Sequence, residues 1–334
     1  MHRMYLCIPY LMLFLFGTGS AFPGDNRQAL RFTISLEKKV FLVDESVYLE
    51  MAETNISETE VAMTPMWLGS SWGNFKIILK NVRGEELDFK GGESYDKADP
   101  NWPGFILMPG DSFVLVKDLL DVFGKWGDPS HQFSLYLPAG TYEVQAVHHT
   151  NMKAYVGLNH SQEDKQTMTS NLLTFEVVAP SGAEKQAHEE LMKLMAEFNQ
   201  ADAAERRAMH STLLKYINSF DNSKYVSHAY RGVLYIYRQN SSLPGRELFL
   251  QKALERFSNS RFSYVLVHSA LLKSKIIKSI NRTKSYDKTV LFNKINREKT
   301  LIKDDSSMGA YYTNCMINNT KIGRRGALRI QRQK

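Results

Sequence analysis

Cysteine is almost missing from this chain of 334 residues, which holds two, Cys7 and Cys315. Cys7 sits inside an apolar N-terminal run, so a chain without that run keeps one thiol. An internal disulfide is then excluded, and a buried core must hold the fold even in an oxidising compartment. A membrane-length apolar run is missing from the N-terminus too. The stretch from Leu6 to Phe16 has 11 residues, whereas a span needs ~20. Catalytic signatures are scarce: there is no His-Glu-x-x-His helix and no defensible pair of carboxylates. Hydrophobic residues at 43% and charged residues at 23% are ordinary for a globular chain, which excludes collagenous, wholly disordered and polytopic membrane classes.

What the chain has in excess is positive charge, a formal +7 with a pI near 9.1. Such a balance suggests an anionic partner. Its location changes that reading. Residues 273–334 hold 16 Lys or Arg and 4 Asp or Glu, while the first 272 residues hold 26 and 31. The basic character therefore belongs to the tail, and nucleic acid is not expected as a partner of the folded part. Beyond Asn281 apolar periodicity fades and Asn, Lys and Thr take over, the composition of a disordered segment. Membrane contact is expected only through this tail, where Gly323-Arg324-Arg325-Gly326 leads to Lys334.

Residues 1–21 read as a secretory signal. Arg3 supplies the positive start, Leu6 to Phe16 the apolar centre, and Gly19-Ser20-Ala21 the small residues of a cleavage site that leaves Phe22 first. The expectation is export to the periplasm, the cell surface or the extracellular space.

From residue 30 to 178 apolar residues alternate, with turn residues about every ten positions. Phe32-Thr33-Ile34-Ser35-Leu36 and Val47-Tyr48-Leu49-Glu50-Met51 each place their apolar side chains on one face. Phe75–Leu79, Phe113–Val116, Phe133–Leu137, Tyr142–His148 and Leu172–Val178 are further strands. Gly84, Pro109-Gly110 and Pro138-Ala139-Gly140 supply turns. Seven or more short strands predict a two-sheet antiparallel β-sandwich.

After Ala179-Pro180-Ser181-Gly182 the period changes from 2 to 3.6. Leu191, Leu194, Met195 and Phe198 share one helical face, and Met209, Leu213, Leu214 and Ile217 another. Then a hexapeptide recurs. Phe220-Asp221-Asn222-Ser223-Lys224-Tyr225 returns 37 residues later as Phe257-Ser258-Asn259-Ser260-Arg261-Phe262. One helix, Tyr225 to Arg238, and another, Arg246 to Phe257, lie between the copies. This is close to the ~34-residue period of helical-hairpin repeats, and the helical region is expected over residues 183–280.

Two resemblances follow from these residues. Val43-Asp44-Glu45-Ser46-Val47-Tyr48-Leu49, then Asn55-Ile56-Ser57, Arg83-Gly84-Glu85, Met108-Pro109-Gly110-Asp111-Ser112 and Pro138 to Val144 resemble, in order, bacterial exported immunoglobulin-like domains of the BsuPI proteinase-inhibitor type. The block Phe220 to Phe257, with Ser223, Tyr225, Ala229, Gly232, Tyr235, Phe249, Ala253 and Leu254, resembles exported tetratricopeptide proteins. The usual Pro after the leading aromatic is replaced by Asp221 or Ser258. Together they imply a multidomain all-β plus all-α chain, an immunoglobulin-like β-sandwich followed by a tetratricopeptide-like array and a basic tail over 281–334.

The expected role is therefore an exported, non-enzymatic protein-binding or scaffold protein, with a proteinase inhibitor acting through sandwich loops as the alternative. Candidate binding residues are Trp72 and Trp102, aromatics in or beside loops, and Arg231 and Arg238, which could meet an acidic peptide from the Tyr-rich helix. No cofactor is expected, and no metal. His148 and His149 point to opposite faces of a strand, so at most one could join His160 at an ion.

Overall fold

The computed structural model describes residues 29–63, 75–87, 105–123, 137–154, 164–240, 243–272 and 315. Among these residues ten strands come first and helices dominate after them, so the chain combines β-sheets with an α-helical segment. The period change at Ala179–Gly182 falls where β10 (Leu173–Val178) ends and α2 (Gly182–Gln200) begins.

Three strands form one antiparallel sheet, β1 (Leu30–Leu36), β3 (Tyr48–Asn55) and β7 (Ser112–Asp118), with β3 in the middle. The second sheet is mixed. Its spine is β8 (Gly140–Ala154), 15 residues long, which pairs in turn with β10, β5 (Phe75–Asn81), β9 (Asp164–Thr169) and β4 (Val61–Met63). β2 (Val40–Leu42) adds to β10 in parallel, and β6 (Phe105–Leu107) pairs with β4. The expected strands over 75–79, 113–116 and 142–148 lie within observed ones, and that over 172–178 matches β10 but for its first residue. That over 133–137 falls mostly outside the described residues.

Alternation works as the strand period requires. Phe32, Ile34, Leu49 and Met51 of the first sheet are buried with Ile77, Leu79, Val144, Ala146, Phe175 and Val177 of the second. Asn171, in the turn before β10, ties the sheets together. Its amide accepts from Ile34 N at 2.9 Å and donates to Ile34 O at 3.0 Å, completing the free edge of β1 as a neighbouring strand would. Tyr142 closes the turn before β8, its hydroxyl donating to Pro138 O at 2.8 Å. In the β5 turn, Gly84 sits at φ 77 and donates to Asn81 O at 2.8 Å. That left-handed backbone suits a residue without Cβ.

Helix α2 buries Ala187, Leu191, Leu194, Met195 and Phe198 along one stripe. A capping box of Asp202 and Glu205 starts the short α3 (Ala203–Ala208). Then follow α4 (His210–Ser219), α5 (Val226–Gln239), α6 (Arg246–Arg256) and α7 (Phe262–Leu272). The expected helices at 225–238 and 246–257 match α5 and α6 within a residue or two. The repeated hexapeptide is the turn joining α4 to α5 and, again, α6 to α7, and these are the helix pairs that pack closest. At Gly232 a Cβ would stand 3.1 Å from the Leu213 side chain. The missing side chain is what lets α5 lie tightly on α4.

One buried cluster runs through sheets and helices, from Leu30 to Val267. Tyr225 and Phe262, the last residues of the two hexapeptides, are fully buried in it. Removing a buried aromatic costs about 3–5 kcal/mol. We therefore expect Phe262→Ala to lower stability by about that much in urea melts. Helical and aromatic circular dichroism should fall in one shared transition in the parent chain. Two separated transitions would mean that sheets and helices do not share a core.

Candidate functional site

The seam between sheets and helices gathers a group of perturbed ionisable residues. β7 ends at Asp118 and runs straight into α1 (Leu119–Phe123). Asp118 caps that turn, accepting from Leu120 N and from Val47 N, each at 3.1 Å. Arg231 of α5 reaches it from the helical side. Its Nη1 donates to Asp118 Oδ2 at 3.0 Å and to Asp121 Oδ1 at 3.1 Å, and its Nη2 to Asp121 Oδ2 at 2.5 Å. The guanidinium also lies 5.9 Å from the centre of the Tyr48 ring, in range for a cation–π contact. Burial pushes the Asp118 carboxyl up to about 6 against the pull of Arg231. Burial also raises the Tyr48 phenol and lowers the Lys117 ammonium.

A second knot surrounds the turn after β2. Asp44 there has φ 64, left-handed for a residue with a side chain, a conformation that costs about 1–2 kcal/mol. Three groups from the helices hold it. Tyr225 donates its hydroxyl to Val43 O at 2.7 Å, His228 Nε2 meets Asp44 O at 2.9 Å, and His188 Nε2 meets Asp44 Oδ2 at 2.9 Å. A carbonyl only accepts, so His228 carries its proton on Nε2. Its Nδ1 is buried with no hydrogen-bond partner among the described residues.

The hexapeptides bind carboxylates in the same way. In the first, Ser223 Oγ donates to Glu184 Oε2 at 2.8 Å and Lys224 N lies 3.2 Å from the same carboxylate. In the second, Ser260 Oγ meets Glu37 Oε2 at 3.4 Å and Arg261 N donates to it at 3.1 Å. The acid comes from α2 in one case and from the β1–β2 turn in the other. Each serine also accepts from the N–H two residues on, Tyr225 at 3.1 Å and Phe262 at 3.2 Å. Arg261 is itself buried. It donates to Ser35 O, to Ser35 Oγ at 2.7 Å and to Tyr48 O at 3.3 Å.

Between the sheets, Glu53 of β3 and His148 of β8 form a fully buried pair through a short Oε1–Nδ1 hydrogen bond. Burial raises the Glu53 carboxyl, and His148 opposes the rise. His148 thus has a core partner. The His149 side chain and all of His160 lie outside the described residues, among which no three His, Cys, Asp or Glu residues cluster as a metal would need. Asn55, the first of five Asn-x-Ser/Thr sites, is buried, and its amide donates to Thr59 O at 2.7 Å and Leu107 O at 2.9 Å. Folded, it is no glycan acceptor.

Of the four candidate residues, Arg231 finds its acids inside the chain, in Asp118 and Asp121. Arg238 is exposed, with its guanidinium 5.9 Å from the Tyr235 ring centre. Beside it Arg206 fastens the end of α2, donating to Phe198 O at 2.9 Å, Asn199 O at 3.2 Å and Tyr235 Oη at 3.3 Å. Trp72 and Trp102 lie outside the described residues, as do residues 64–74, 88–104 and 124–136 as a whole. Gly69-Ser70-Ser71-Trp72-Gly73, in the first of these segments, has the spacing of a nucleophile elbow. β5 opens at Phe75, which leaves no room for the helix such an elbow leads into. Of the basic tail Cys315 alone is described, helical and half-buried.

The sequence pointed to Arg231 but not to Asp44, Asp118, Asp121, His188, His228 or Arg261. The one available signal was the hexapeptide, whose second copy contains Arg261.

No protein-family model matches the chain, and no curated protein does. Among solved structures, a β-glucosidase from Listeria innocua in complex with glucose is similar over 45% of this chain at 16% identity and TM-score 0.23, and the match spans 16% of the enzyme. Spo0M, a sporulation control protein from Bacillus subtilis, is similar over 49% of this chain and 55% of its own, at 11% identity and TM-score 0.22. AvmM, which catalyses macrocyclization in alchivemycin A biosynthesis, covers 47% of this chain at 12% identity and TM-score 0.19. Similarity this distant carries no argument about fold or role.

Removing one partner of a buried ion pair strands the other charge, at about 3–5 kcal/mol. We expect Arg231→Ala to destabilise the chain by that amount in urea unfolding. Arg231→Lys should recover only part of it, since an ammonium lacks the guanidinium fork. A loss for Arg231→Ala below about 1 kcal/mol, as for an exposed pair, would show that the seam does not depend on this contact.

Proposed function

We propose that this chain is an exported, non-enzymatic protein-binding or scaffold protein of the cell envelope or extracellular space. In this reading an immunoglobulin-like β-sandwich is joined to a short tetratricopeptide-like array. The observation that carries it is the return of the hexapeptide as a three-dimensional unit. Both copies close a helix pair, both use the serine to receive the N–H two residues on, and both dock a carboxylate. Gly232 against Leu213 supplies the close helix approach expected of such hairpins. The bond from Tyr142 to Pro138 supports the sandwich, because a tyrosine reaching back to the backbone a few residues upstream is a corner of immunoglobulin-type folds. Export rests on Arg3, the apolar run from Leu6 to Phe16 and Gly19-Ser20-Ala21.

With Arg231 consumed in the seam, Arg238 on Tyr235 is the cationic contact left open to an acidic segment of a partner. The test uses the chain without residues 1–21, immobilised against the exported fraction of the cells that make it, with partners identified by cross-linking and mass mapping. Arg238→Glu should weaken the captured partner's binding about tenfold, the scale of an interface anchor, with an unchanged melting temperature. No protein held above a charge-matched control, or equal binding by the variant, would count against this role.

A further inference from the structure

The Asp44 turn is the point at which the sheets are gripped by two separate helices. α2 holds it through His188, and α5 through Tyr225 and His228. The turn is strained at φ 64, so the three hydrogen bonds keep it in a shape it would otherwise leave. His228 is the buried histidine of the group, and its Nδ1 faces no acceptor among the described residues. We propose that this seam is an acid-released latch, in which a proton on the His228 ring breaks the grip on the Asp44 turn and lets the helical segment loosen from the sheets.

The ring is neutral when closed, with Nε2–H spent on Asp44 O. A second proton must go to Nδ1, where it meets no acceptor and adds a buried charge close to Arg231. The groups acting on the ring are Arg231 from its own helix, Asp44 from the β2–β3 turn, Asp121 from α1 and His188 from α2. Asp121 is the compensating acid, but both Arg231 nitrogens already hold it. Burial, and then Arg231, push the His228 ring down to about 4, against ~6.5 for a free imidazole. The opened form therefore binds the proton more readily than the closed one. Closure is fully stabilised above about pH 6.5 and is lost as pH falls toward about 4. The contact of His188 with Asp44 is partly solvated, with side chains 18% and 14% exposed, so the fully buried His228 ring is where an added charge costs most. Once His228 lets go, relaxation of Asp44 favours the open turn.

Hydrogen exchange of the full chain, read by mass spectrometry at about pH 7 and about pH 4.5 and corrected for intrinsic rates, tests this. Peptides covering 42–46 and 225–231 should lose about tenfold protection in acid, while those covering 49–54 and 114–117 keep theirs. His228→Gln retains a donor for Asp44 O without the titration, and it should hold its seam protection within about twofold. Unchanged protection in the parent chain would overturn the proposal. So would an equal acid loss in His228→Gln, or a loss spread evenly through the sheet core. Should that variant not fold, Tyr225→Phe removes one of the three bonds and leaves the ring. Opening must then begin at a higher pH than in the parent chain, and opening at the same pH would overturn the latch.

Discussion

The pairing of Arg231 with Asp118 and Asp121 is the constraint from which the arrangement of sheets and helices follows. A guanidinium taken out of water is tolerable only where its donors are met in a fixed geometry. Here two carboxylates, one at the end of β7 and one in the turn that follows, supply that geometry. Asp118 is in turn fixed by two backbone N–H groups, so it cannot follow the arginine if α5 shifts. The position of α5 is thereby referred to the first sheet. The Tyr48 ring of β3 lies near both Arg231 and Phe262 of α7, which refers that helix to the same sheet.

The hexapeptide explains how sheets can serve as a neighbour for helices. Its serine and the next N–H form a small receptor for a carboxylate at the start of a helix, where the partial positive charge of the backbone favours an anion. Glu184 from a preceding helix fills the first receptor, and Glu37 from a strand turn fills the second. The sheets thus occupy, at the second copy, the place that a helix takes at the first. The β1–β2 turn thereby packs on the start of α7 through Glu37. Arg231 of α5 and Arg261, in the turn before α7, are spent on the chain itself, and α5 is buried along most of its length.

What could be read from the sequence was whatever repeats at short range. The strand faces of Phe32, Ile34 and Leu36, the stripe Leu191 to Phe198 and the recurring hexapeptide all express periods of 2, 3.6 or 37 residues. The three-residue strands β2, β4 and β6 carry too few positions for a period, and they form on edges offered by β10, β8 and β4 in turn. The seam was hidden for another reason. Arg231 meets carboxylates 110 and 113 residues away, and no local pattern marks Asp118 as a cap for both a turn and a guanidinium. Asp44 was visible only as part of a turn, although its backbone and both histidines that hold it depend on contacts more than a hundred residues distant.

Two buried histidine sites in this chain show how position decides what a proton does. His148 and Glu53 face each other from central strands of opposing sheets, each strand paired on both sides. A change of charge there has no hinge to act on, so its cost falls on the stability of the sheets as a whole. His228 has the same degree of burial, but its partner is the backbone of a strained turn and its own support is one helix. The softest element next to the ring is the turn, which can leave without breaking a sheet ladder, because β2 is a short strand that, among the described residues, pairs only with β10. Equal burial therefore gives a structural pair in one place and a point of release in the other, and the difference lies in the elements that carry them.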